Sequence, residues 1–121
     1  MPLSAGVLDW IGRYNTLPPG RNPSSPVAFR GKLKQAREWS DYYGRPVHLG
    51  EFGAYVGADD ESRANFYREF RRALDELKLG WAMWDWRAGF KYWDAAKNQP
   101  APGMREALFG PLPEGRPVSQ K

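Results

Sequence analysis

Cysteine is absent from the sequence, so the chain builds no disulfide framework, no thiolate metal site and no thiol nucleophile. Histidine occurs once, at His48, which leaves imidazole-type metal centres short of ligands. A lone histidine in a strand reads as a hydrogen-bonded core residue rather than a catalyst. Long apolar runs are missing as well: none approaches the roughly 20 residues of a membrane-spanning helix. The opening MPLSAGVLDW has no basic region followed by an apolar stretch and a cleavage site. As it stands, the sequence is expected to stay in the cytoplasm and off membranes. Blocks of like charge are also lacking. Eighteen lysines and arginines are interspersed with fourteen acidic residues to give +4, a pattern of a solvated surface rather than of a nucleic-acid partner. No metal and no cofactor are expected.

What is present suits a folded core. The 121 residues are 41% hydrophobic and 15% aromatic, enough for one domain and too apolar for a disordered chain. If the architecture needs more elements than such a chain supplies, another copy or another chain must cover the remaining surface.

Along the chain, residues 1 to 14 place Leu3, Val7, Trp10 or Ile11, and Tyr14 near helical spacing, interrupted by Gly6 and Gly12. The stretch NTLPPGRNPSSP, 15 to 26, is a Pro-rich loop, read as a spacer before a lid. Ser25 then offers a cap with Pro26 at the first helical position, Phe29, Leu33, Ala36 and Tyr43 share one face, and Gly44 closes the helix. Arg45 to Phe52 is too short for a helix and reads as a buried strand, with proline near its start. Asp59 caps a predicted amphipathic helix over 60 to 78, whose apolar face carries Ala64, Tyr67, Phe70, Leu74 and Leu77 and which Gly80 ends. Arg68, Arg71 and Arg72 are assigned to its wet face. The aromatic-rich WAMWDW, 81 to 86, reads as a second strand, AGFKYWD as a short extended segment, AAKNQPAPG as a loop, and MREALFG as a final helical turn or two. Two strands some thirty residues apart with a helix between them predict a parallel α/β unit. Residues 1–26 are an N-terminal segment with its loop, 27–110 the α/β unit, and 111–121 a flexible tail.

In parallel α/β folds the groups that do chemistry collect at the carboxyl ends of strands. Glu51, in the sequence GRPVHLGEFGAY, stands at such an end between Gly50 and Gly53. Strand interiors disfavour both carboxylates and glycines, so the pair suggests close backbone approach and a carboxylate facing a cleft. By alternation Val47 and Leu49 share the face of Glu51, and His48 points to the other layer. Trp84 lies at a corresponding depth on the second strand. A carboxylate beside an indole is a sugar-binding combination, since an apolar pyranose face stacks on the ring while the carboxylate reaches the anomeric centre. Tyr55 and Trp93, with Tyr92 as an alternative to the latter, are further candidates to grip sugar rings. Trp81, Met83 and Trp86 are assigned to packing. Two bland readings stand beside these: Glu51 as a capping or ion-paired residue, and Trp84 as ordinary core.

RPVHLGEFGAY, followed by ESRANFYREFRRAL and LGWAMWDWRAGFKYWD, resembles the last part of a family 5 glycoside hydrolase, the cellulase and β-glucanase clan of (β/α)8 TIM barrels. The likeness covers residues 15 to 109. It implies a partial barrel of about the last two to three βα units, with 27–110 carrying the equivalents of strands seven and eight. It also implies Glu51 as nucleophile of a retaining mechanism on β-linked glucosides or glucans, and Trp84 as the platform under the sugar at the cleaved bond. Members of the family are often secreted. A whole barrel takes about 250 residues, and the family's acid/base glutamate, carried on an Asn-Glu pair, has no counterpart here; its substrate-binding Arg, His and Tyr from earlier strands are missing too. A retaining hydrolase needs two carboxyl groups about 5–5.5 Å apart. Self-association into a composite barrel is the preferred source of the second, because a two-stranded sheet leaves apolar edges to cover. The other sources are Asp59, Asp85 and Asp94, of which Asp85 should point away from the cleft if Trp84 points into it. The alternative function is a non-catalytic carbohydrate-binding fragment.

Overall fold

The computed structural model describes residues 2–111. Of the expected tail, residues 112–121 lie outside that range. The chain divides into two compact units, one up to Arg45 and one from Pro46 onwards. No described helix is long and apolar enough to cross a membrane.

The first unit is helical. Helix α1, Ala5–Asn15, starts at Ser4, whose hydroxyl accepts the Val7 N–H, and it buries no residue. The loop after it folds into a 3₁₀ turn at Pro19–Arg21 and is tied down locally, with the Tyr14 hydroxyl 2.8 Å from the Ser24 hydroxyl and the Ser24 N–H donating to Asn22. Helix α2, Pro26–Tyr43, has the expected punctuation. The Ser25 hydroxyl accepts the Val27 N–H, and Gly44 closes the helix at φ +61°, where a side chain would be strained. Phe29 and Leu33 are buried as the spacing predicts. Tyr43 is not. It is 57% exposed, its ring 5.0 Å from Trp39 and 4.8 Å from Tyr42. Seven residues past Leu33, Ser40 continues the buried stripe instead, its hydroxyl donating to the Arg45 carbonyl at 2.6 Å.

The second unit is a β–α–β crossover followed by a hairpin and a short helix. Strands β1, His48–Leu49, and β2, Gly80–Trp81, pair in parallel, His48 opposite Gly80 and Leu49 opposite Trp81. Between them runs α3, Asp60–Glu76, with the Asp59 carboxylate accepting the Ser62 N–H at 2.8 Å. Next come the antiparallel strands β3, Trp93–Asp94, and β4, Gln99–Pro100, and then α4, Met104–Phe109. Among the described residues the parallel sheet has these two strands and does not close into a barrel.

Packing rather than the two-residue ladders holds this unit together. Tyr67, Leu74 and Met104 are fully buried, and the apolar side chains of Leu74 and Met104 each contribute about 1.5–3 kcal/mol by leaving water. Phe52, just past β1, lies 5.7 Å from Tyr67, 5.0 Å from Phe70 and 5.6 Å from Trp81, which closes one face of the strand pair against α3.

Four local expectations are corrected. The strands are not buried on both faces: Val47 and Leu49 are half-buried and Ala82 is exposed, because α3 covers one face of the described pair. His48 is exposed rather than a core residue. Gly80 opens β2 instead of ending α3. The helix turns out at Lys78, whose φ is +53°, with the Leu79 N–H returning to the Leu74 carbonyl. A Cβ on Gly80 would stand 2.8 Å from Nδ1 of His48, so the glycine serves the approach of the two strands. The assignment of arginines to a wet face also needs amending, since Arg71 donates to the Ala107 carbonyl of α4 and pairs with Asp75.

Candidate active site

Past the ladder, the parallel strands leave their carboxyl ends as two irregular segments, residues 50–58 and 82–92. They are joined directly by the Trp84 N–H to the Phe52 carbonyl at 2.8 Å and by the Val56 N–H to the Gly89 carbonyl at 2.8 Å. Between them is an open groove of about 360 Å³ lined by Glu51, Phe52, Gly53, Trp84 and Phe90. Glu51 and Trp84 therefore meet, at the end of the sheet where chemistry collects in α/β folds. Glu51 is exposed and Trp84 is half exposed, at 50%, so carboxylate and indole are both open to a ligand. The peptide bond between Trp84 and Asp85 is cis.

The two glycines beside Glu51 have different parts. A Cβ on Gly53 would lie 2.3 Å from the Trp84 carbonyl oxygen, 3.1 Å from the Tyr67 hydroxyl and 3.2 Å from the Phe90 ring. That position admits no side chain. Around Gly50 nothing lies within 4 Å, so the expected close approach is made by Gly53 alone.

Behind the groove stand two buried side chains of α3. The Tyr67 hydroxyl accepts the Ala54 N–H at 3.1 Å and shares its proton between the carbonyls of Trp84, at 2.9 Å, and Phe90, at 3.1 Å. Burial pushes the Tyr67 pKa up, against the opposing pull of the Ala54 N–H and the Arg63 charge, so the group stays a neutral hydroxyl. Arg63, 2% exposed, donates from Nε to the Ala54 carbonyl at 3.1 Å and from Nη2 to the Lys91 carbonyl at 3.0 Å. Its guanidinium carbon lies 5.9 Å from the Tyr67 ring centre. A buried cation is costly unless hydrogen-bonded, and these carbonyls satisfy it.

The remaining candidates do not line the groove. Tyr55 is 61% exposed and sets its ring edge-on to Phe90, 5.6 Å between centres, so it borders the groove through that phenylalanine. Trp93 is half-buried and stacks at 5.5 Å on Trp86. Trp86, assigned from sequence to packing, is 57% exposed and also stacks on Tyr92, at 5.4 Å. Each of the three aspartates has a structural task. Asp85 is buried and accepts the N–H groups of Ala88, at 2.6 Å, and Phe90, at 3.2 Å, and it does not line the groove. Asp94 accepts the N–H of Ala96 and lies 3.9 Å from Lys91. Asp59 caps α3. Glu51 is thus the one carboxylate lining the groove among the described residues.

Sequence reasoning missed Phe90, Arg63 and the polar role of Tyr67. Arg63 had left a signal, since it stands four residues before Tyr67 on the apolar stripe of α3 and so falls where a solvated charge does not belong.

No family model and no curated protein matches the chain. Solved structures do. An endoglucanase, Cel5A, from the hyperthermophilic Thermotoga maritima is 29% identical over 88% of this chain and 33% of its own, with a TM-score of 0.69. The same enzyme in complex with mannotriose is 28% identical over the same shares, with a TM-score of 0.68. A hyperthermophilic endo-β-1,4-glucanase in complex with substrate is 34% identical over 69% of this chain and 27% of its own, with a TM-score of 0.64. The chain spans about a third or less of the length of these structures.

Proposed function

We propose that this chain, which is similar to a part of the family 5 glycoside hydrolases, carries the nucleophile and sugar platform of a retaining hydrolase acting on β-linked glucose chains. In this reading a pyranose stacks on the exposed indole of Trp84, and the Glu51 carboxylate attacks the anomeric carbon to give a glycosyl ester that water then cleaves. The single observation that carries it is the convergence of Glu51 and Trp84 in one groove at the carboxyl ends of two parallel strands. Protonation of the leaving oxygen needs a second carboxyl group about 5–5.5 Å away. We assign that group to another polypeptide, a second copy of this chain in the first instance, because Asp59, Asp85 and Asp94 are occupied elsewhere.

One observation favours a second reading. A groove with a sugar platform and one carboxylate is suited to holding a β-glucan without cutting it, with Tyr55 and Trp93 as outlying contacts. The two readings part on one experiment. Under the first, the parent hydrolyses an aryl β-cellobioside and Glu51→Gln reduces the rate to background while cellobiose still binds. Hydrolysis by the Gln variant at the parental rate would remove Glu51 from the chemistry. Saturable quenching of tryptophan fluorescence by cellobiose with no release of the aryl group from the parent selects the second reading.

A further inference from the structure

Neither Arg63 nor Tyr67 lines the groove, yet between them they take five backbone groups on the two segments that frame it. Arg63 and Tyr67 stand four residues apart on α3, and together they use both the N–H and the carbonyl of Ala54, three residues past Glu51. The same two side chains hold the carbonyls of Trp84, Phe90 and Lys91. Trp84 and Phe90 are themselves groove residues. Each strand contributes only two ladder positions, so the strands do little to fix the segments that follow them.

We infer that Tyr67 and Arg63 are positioning residues for saccharide recognition: a clamp on the helix behind the groove that sets the Glu51 segment against the Trp84 segment. The clamp rests on the reading of the groove given above. Its physical basis is that a buried hydroxyl and a buried guanidinium must find acceptors, and here every acceptor they use belongs to one of the two segments. Gly53 completes the arrangement, because the Trp84 carbonyl reaches Tyr67 only past a residue without a side chain.

The test compares the parent with Tyr67→Phe, which keeps the ring and removes the hydroxyl, and with Ala73→Gly, a change in the same helix away from the groove. Amide hydrogen exchange is read at Trp84 and Val56, whose N–H groups join the two segments without touching Tyr67, and at Leu79, which reports on the end of α3. In Tyr67→Phe, exchange at Trp84 and Val56 should rise about tenfold more than at Leu79, and cellobiose affinity measured by calorimetry should fall about tenfold. In Ala73→Gly the three amides should move together and the affinity should hold. Equal acceleration of all three amides in Tyr67→Phe, or undiminished affinity for cellobiose, overturns the clamp. Should the Phe variant not fold, Arg63→Gln is measured at the same amides, and the same two outcomes decide for or against the clamp. A parent that binds no cellobiose while its two segments still loosen selectively in Tyr67→Phe removes the saccharide reading and leaves the mechanical coupling standing.

Discussion

The unit up to Arg45 and the unit from Pro46 onwards are built from the same sequence devices and use them differently. Both have helices started by a side-chain cap and striped with apolar residues. In the first unit α1 buries nothing, and among the described residues side-chain bonds run ten residues from Tyr14 to Ser24 and five from Ser40 to Arg45. In the second they reach 28 residues from Arg63 to Lys91 and 36 from Arg71 to Ala107. Amphipathic patterning is therefore enough to make helices, whereas the groove depends on long-range bonds from buried polar side chains to irregular backbone.

The sharpest way to break the comparison is a matched pair of glycine substitutions. Gly53→Ala drives a methyl group into the Trp84 carbonyl and should destabilise the protein by about 1–3 kcal/mol, the usual cost of overpacking. Gly6→Ala, in α1 with open space around it, should instead stabilise its helix by roughly 0.5–1 kcal/mol. Urea denaturation of both variants checks the signs, and a neutral Gly53→Ala would mean that the two segments are free to part.

A smaller effect separates the caps by pH. Asp59 has its pKa lowered, first by the Ser62 N–H it accepts. Its contribution is therefore present above the unfolded carboxylate value of about 3.9 and lost as pH falls through the lower folded value. The hydroxyl caps Ser4 and Ser25 have no such slope. Asp41, lowered first by its hydrogen bond from Arg37, gives the first unit an acid response of its own. Asp59→Ser should accordingly flatten the loss of α3 helicity as pH falls below about 3.9 through the lower folded value, followed by circular dichroism, and leave the Asp41 response in place. An unchanged acid profile in that variant would deny the cap its part.

Much of this was legible in the sequence because local chemistry fixes it. Ser25–Pro26, Gly44 and Asp59 punctuate helices through their own caps and φ preferences, and the thirty-residue spacing of the apolar runs points to the parallel pair. Glu51 and Trp84 were legible as neighbours because each closely follows the carboxyl end of a strand of the parallel pair. The rest failed where a period was extended past the element that supports it. Trp86 was assigned to packing, but the ladder has two positions per strand and Trp86 lies beyond β2; His48, read as core because it is a lone histidine in a strand, lies within β1 and is exposed. Tyr43 failed in the same way, at the last residue of α2. Arg63 was invisible as a clamp because its acceptors are carbonyls 9 and 28 residues away, and carbonyls carry no sequence signature.

The central claim, that the Glu51 carboxylate attacks a bound β-glucoside, is tested most directly without the missing proton donor. A deoxyfluoro β-cellobiosyl fluoride has a leaving group that needs no protonation, and the fluorine on the sugar slows hydrolysis of the ester. Peptide mass spectrometry after incubation should find one deoxyfluorocellobiosyl unit esterified to Glu51, with fluoride released, in the parent and none in Trp84→Ala at the same dose. An unlabelled Glu51 in a parent that demonstrably binds cellobiose, or a label on another carboxylate, would contradict the account.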